Sequence, residues 1–159
     1  MKLISICVLA VILQVGCSGQ KFEVEESSSN FGQEVKYNTE VDVLWVIDTS
    51  GSMASRQAEL AKQIPMFIDG LNATGLDYHI GVTTMDMRDG AAKGKLIAQT
   101  GTPLVLNKST PNLVNILATR IQAGENGSPT ERGREAMLAA LKHSVVGDAN
   151  EGFLRKDSL

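Results

Sequence analysis

Val43-Leu44-Trp45-Val46-Ile47-Asp48-Thr49-Ser50-Gly51-Ser52-Met53 decides how this chain is read. Its first five residues are apolar, and all but Leu44 are β-branched or aromatic. That is the pattern of a strand buried on both faces, as in a parallel sheet. The run then stops in a cluster that sets one carboxylate and two hydroxyls, Asp48, Ser50 and Ser52, on a short turn. Ligands of open α/β sheets bind at this C-terminal end of the strands. All three side chains offer hard oxygen donors, the kind Mg²⁺ prefers. Alternate residues of an extended turn point the same way, so the three can converge on one cation. A plainer use competes with this one: an Asp or Ser just after a strand often caps the next helix.

Downstream, apolar residues recur at three- and four-residue spacing in Leu60, Ala61, Ile64, Phe67, Ile68 and Leu71. They predict an amphipathic helix over about 55–71, kinked or broken at Pro65 and stopped by Asn72–Gly75. A second strand is expected over Tyr78–Met85. A Gly-rich turn over 86–94 then leads into a short hairpin strand over Lys95–Gln99. Asp86 and Asp89 read as residues of that turn, with a second cation site there as the alternative. Thr110-Pro111 reads as an N-cap and first helical position, with Leu113, Ile116, Leu117 and Ile121 facing inward. A third helix is expected over about 129–143, burying Ala136, Met137, Ala140 and Leu141.

Upstream, Met1-Lys2 and the apolar stretch Leu3–Leu13 form a secretory signal, too short to span a bilayer. It ends in Leu13-Gln14-Val15-Gly16-Cys17, which resembles the lipobox of bacterial lipoproteins, with Gln14 departing from the usual Leu. The resemblance implies a signal peptide over 1–16 and a triacylated Cys17 as the mature first residue. Several acyl chains anchor stably where one does not. With Ser18 following, it also implies a lipid-anchored place in the bacterial cell envelope, at the outer membrane. Secretion after a plain signal is the alternative. Cys7 leaves with the signal, so no disulfide can form within one mature chain. Residues 17–40 are polar and aperiodic and read as a flexible tether.

The 159 residues fit one domain, and 15 Lys plus Arg against 18 Asp plus Glu give no basic patch for nucleic acid. Neither His79 nor His143 has a partner at zinc spacing.

Asp48-Thr49-Ser50-Gly51-Ser52-Met53, behind a buried strand and ahead of an amphipathic helix, resembles the opening of a von Willebrand factor type A domain. The resemblance covers residues 41–159. It implies an α/β fold, a Rossmann-like open sheet with flanking helices, incomplete at the C-terminus. It also implies a metal-ion-dependent adhesion site for Mg²⁺ or Mn²⁺, which docks a protein partner through an acidic side chain. Ser50 and Ser52 would bind the ion directly, and Asp48 directly or through water. In the second loop, Ser128, Thr130 and Gly133 match the family's Thr-x-Thr-x-x-Gly spacing. Ser128 then takes the ligating place, or Thr130 if the alignment shifts. Ser128-Pro129-Thr130-Glu131 is equally a capping box, and one hydroxyl does not readily serve both uses.

The family's third contribution is an Asp after a further strand, and the chain stops near where that strand should begin. Asp148 and Asp157 both precede it. A truncated gene, a deliberately shortened chain or a partner supplying the rest would each account for this, and a weak metal site is expected. The competing function is therefore none at all, an incompletely folded piece of a longer version. A hydrolase is disfavoured, since no Gly-x-Ser-x-Gly elbow is present. A phosphotransferase would usually place Asp where Ser50 stands, and an aspartic protease would place Gly there.

Overall fold

The computed structural model describes residues 38–156 and Ser158. The signal peptide over 1–16, Cys17 and nearly all of the 17–40 tether lie outside the described residues. The described chain is a small mixed α/β protein, a three-stranded mixed sheet with three helices. In chain order these are β1 (Glu40–Ile47), α1 (Ala54–Thr74), β2 (Asp77–Thr84), β3 (Leu106–Asn107), α2 (Leu113–Ile121) and α3 (Gly133–Lys142). The sheet order is β1-β2-β3. β1 and β2 run parallel, with Val43 opposite Ile80 and Trp45 opposite Val82. β3 closes on β2 antiparallel, with Leu106 opposite Ile80.

Alternation along the strands builds two unequal layers. On one face Ile47, Tyr78, Ile80 and Val82 pack with Ile64 and Ile68 of α1 and Leu113, Leu117 and Ile121 of α2. Trp45 meets Phe67 edge-on, with ring centroids 5.3 Å apart. The other face carries Leu96, α3 and the C-terminal segment. A Cβ at Gly81 would lie 2.8 Å from both Leu96 Cδ2 and Phe153 Cε2, so the strand must be bare there for those side chains to seat. Asn150, fully buried, joins this layer. Its carboxamide accepts from Leu96 N (2.7 Å) and donates to the carbonyls of Gly94 (2.9 Å) and Ala140 (3.0 Å).

Several expectations need correction. β1 is not buried on both faces: of its residues only Ile47 is buried, and Val43–Val46 are half-buried. Among the described residues β1 pairs with β2 alone, so its outer side has no strand to cover it. α1 runs as one element through Pro65, which sits on the exposed side. It stops at Gly75 in the left-handed region (φ 71°), as the stop signal implied.

Lys95–Gln99 forms no strand. It touches β2 through Ile97 N to Val82 O (2.8 Å) and Thr83 Oγ1 to Lys95 O (2.9 Å). The antiparallel partner is instead the two-residue β3.

The two later helices begin two and four residues after their expected first positions, Pro111 and Pro129. Thr110 does not cap α2, because its hydroxyl accepts from Asn107 N (3.0 Å) in a turn that precedes the helix. α3 buries Ala136 and Ala140 but leaves Met137 40 % exposed. Phe153–Arg155 makes no strand among the described residues. Phe153 is buried, and Arg155 reaches back to β1.

Candidate metal centre

β1 delivers its last carbonyls and then the turn. Ile47 O accepts from Met85 N (2.9 Å), which fixes the point where β1 and β2 end together. Asp48 is half-buried, and its Oδ1 accepts the backbone N–H of Ser50 (2.8 Å). This local bond folds the chain sharply, as Asp after a strand commonly does. Met53 N to Ser50 O (3.1 Å) completes the turn before α1 begins. The helix has no side-chain cap from Asp48, Ser50 or Ser52, and its flanking position is Met53. The three polar side chains are therefore not used as a helix cap. Ser50 is half-buried and Ser52 exposed.

The loop after α2 packs against this turn. Gly127 N donates to Thr49 O (2.7 Å), and Thr49 is itself buried. The fit is tight enough to require glycine: a Cβ at position 127 would lie 2.0 Å from Thr49 Oγ1 and 2.7 Å from Thr49 O. Gln57, one turn into α1 and buried, reaches across to the same loop. Its Nε2 donates to Asp48 O (2.6 Å) and Gly124 O (2.8 Å), while its Oε1 accepts from Gly124 N (3.1 Å).

Asp86 and Arg88 hold the loop from the other side. Asp86 is buried, and its carboxylate accepts the Arg88 N–H and guanidinium. The side-chain bond from Arg88 first, and then the backbone one, hold that carboxyl down at about 2. A backbone N–H from Ser128 adds to the same lowering. Arg88 also donates to Asn126 O (2.7 Å). Asp89 pairs with Lys93 instead. Asp86 and Asp89 are thus each matched to a cation of the chain itself. A cavity of about 300 Å³ lies where these pieces meet, lined in part by Thr49, Thr84, Asp86, Asn126 and Gly127.

The structure therefore brings residues 124–128 onto the Asp48 turn. Ser128 immediately follows the glycine that contacts Thr49, and it is half-buried. Its Oγ accepts from Thr130 N (3.0 Å), a local turn. Since α3 starts only at Gly133, the capping-box use of Ser128 does not occur. Thr130 is exposed.

No three His, Cys, Asp or Glu side chains gather in one place among the described residues. A cation held here would rest on one carboxylate and several hydroxyl oxygens, with water filling the rest. That donor set is hard and suits Mg²⁺ better than Zn²⁺.

Sequence reading missed Gln57, Thr49 and Gly127. Only the glycine carried a signal, as one of several in a Gly-rich loop. His79 is half-buried on β2, its Nδ1 3.2 Å from Phe153 O and 4.0 Å from Asp42 Oδ1, away from the Asp48 turn. No helix among the described residues is long and apolar enough to cross a membrane. Comparison with protein-family models, curated proteins and solved structures found no match to this chain.

Proposed function

We propose that this chain is a metal-dependent binding module of the von Willebrand factor type A kind, carried on a cell-envelope lipoprotein anchored at Cys17. In this reading the Asp48 turn holds Mg²⁺ or Mn²⁺ and docks an acidic side chain of a protein partner. Ser50 and Ser52 bind the ion directly, and Asp48 directly or through water. Ser128 contributes from the second loop, with Thr130 in its place if the alignment shifts. The bound ion supplies an electrophilic contact for the partner's carboxylate.

One observation carries the proposal. The second loop named by the motif is seated on the Asp48 turn through Gly127 N and Thr49 O, although 78 residues separate them. A turn used only as a helix cap needs no such neighbour. The surrounding layout also fits, with parallel β1 and β2 around a long helix and an antiparallel β3 outside them.

The test is thermal melting and calorimetric titration of the protein with Mg²⁺ and Mn²⁺, with EDTA as control. Metal at ten times its Kd should stabilise the fold by about 1.4 kcal/mol. Asp48→Ala should remove that gain. A well-folded protein with no metal response would refute the proposal.

The one-sided pairing of β1 favours a second reading. Here the site becomes competent only when a further strand joins that edge and brings a carboxylate. Metal affinity would then be weak for this chain alone and would rise when a strand-forming partner is added.

A further inference from the structure

We infer that Gln57 is the positioning residue that holds the second ligand loop in register with the Asp48 turn, a role that rests on the metal-binding reading just given. A glutamine on the first turns of a surface helix ordinarily points to water. This one is only 4 % exposed and spends its whole carboxamide on two loops. Both donated bonds go to backbone carbonyls, of Asp48 (2.6 Å) and Gly124 (2.8 Å), and its oxygen takes Gly124 N (3.1 Å). Asp48 is a proposed ligand, and Gly124 opens the loop that carries Ser128. One side chain therefore fixes the backbone of the first ligand and the entry to the loop of the fourth.

Two other ties act on the same loop further along. Gly127 N bonds Thr49 O (2.7 Å), and Arg88, held by Asp86, bonds Asn126 O (2.7 Å). The three ties differ in what they join. Thr49 ties the far end of the loop to the Asp48 turn and Arg88 ties it to the loop after β2, whereas Gln57 bonds the carbonyl of Asp48 itself and the loop's entry at Gly124. Replacing Gln57 should loosen the relative placement of the two ligand loops while leaving the sheet intact. Groups that orient ligands without touching the metal typically matter 10- to 100-fold in affinity.

The experiment pairs amide exchange with Mn²⁺ titration on the whole chain. Gln57→Met keeps length and approximate volume and removes all three bonds. The Gly127 amide should then exchange at least about tenfold faster, while the Ile80 and Val82 amides of β2 stay protected. Mn²⁺ affinity should fall about tenfold, within the outer-shell range. Gln57→Glu, which can still accept from Gly124 N but cannot donate when ionised, should show the same defect.

Unchanged Gly127 protection in both variants would overturn the inference, whether or not metal binds. So would Mn²⁺ affinity equal to that of the unaltered chain. If the unaltered chain binds no Mn²⁺ yet both variants free Gly127, the metal reading fails and the positioning role stands.

Discussion

The two ends of β1 treat their carboxylates in opposite ways. At the N-terminal end Asp42 is saturated. It accepts Arg155 N (2.6 Å), Arg155 Nε (2.9 Å) and Ser158 Oγ (2.6 Å), and its side chain is 2 % exposed. Arg155 also pairs with Asp77 (2.9 Å) and donates to the carbonyls of Val41 and Asp77. At the C-terminal end Asp48 accepts one backbone N–H and stands beside two serines that do not cap the helix. The first end spends its polar groups on closing the fold, and the second keeps capacity for something outside it. A buried charge left unpaired is costly, so saturation at one end marks structure. At the other end, beyond that one bond, the Asp48 oxygens are left open, in a loop held firmly from behind, and these are the groups the proposed cation would use.

Breaking the saturated end should have the largest effect. Arg155→Met leaves Asp42 with one hydroxyl, the backbone N–H and His79 Nδ1 at 4.0 Å, and should cost about 3 kcal/mol, the low end for a broken buried pair. Urea unfolding measures it. A loss under about 1 kcal/mol would show that this end is no more committed than a surface pair. Gly127→Ala comes next. Its new methyl must displace Thr49 or the loop, an overpacking cost of about 2 kcal/mol. Gly51→Ala on the facing Asp48 turn is the control, because its Cβ would lie 3.9 Å from Glu125 O, an ordinary contact. It should change stability by no more than about 0.5 kcal/mol.

Asp48→Ala should cost the metal-free fold only about 1 kcal/mol, the scale of one local hydrogen bond. In the same variant all metal response should vanish. A larger loss without metal would mean that the Asp48 end is structural too.

Acid provides the mildest probe. The Asp86 carboxyl lies at about 2, against 3.8 for an unperturbed Asp. Its folded value is depressed, so its contribution is present above about pH 4 and is lost as the pH falls through about 2. Arg88→Met should flatten that part of the stability–pH curve, read from melting temperatures.

The sequence foretold the first half of the fold because packing there follows a simple period. α1 buries three-to-four-spaced apolar residues and β2 a short apolar run, and the bounds of β1, α1 and β2 came within a few residues, although β1 is less covered than its unbroken apolar run implied. The later elements were harder for a physical reason. Thr110 and Ser128 each bond a nearby backbone N–H in a turn, so residues that look like helix caps stop the chain short of the helix. β3 has two residues and no period to detect. Of the proposed site, Asp48, Ser50, Ser52 and Ser128 could be named from residue type and spacing, and the structure seats the loop that carries Ser128 on the turn that carries the other three. Its supports could not be named in this way. Gln57 and Asn150 are polar residues whose burial depends on distant carbonyls, as Arg120 depends on Leu104 O (2.8 Å) and Thr102 Oγ1 (2.9 Å). Nothing local distinguishes them from solvated side chains.

Trp45 is the only tryptophan in the chain. Its indole nitrogen is buried without a hydrogen-bond partner among the described residues, and its ring lies against Phe67 in α1. An indole N–H cut off from water emits toward the blue and shifts to the red when solvent reaches it. Trp45 stands three residues before Asp48 on the strand that carries the turn. The protein thus has its own optical reporter, able to follow unfolding of β1 and to test the proposed binding of a cation at its end, without an added label.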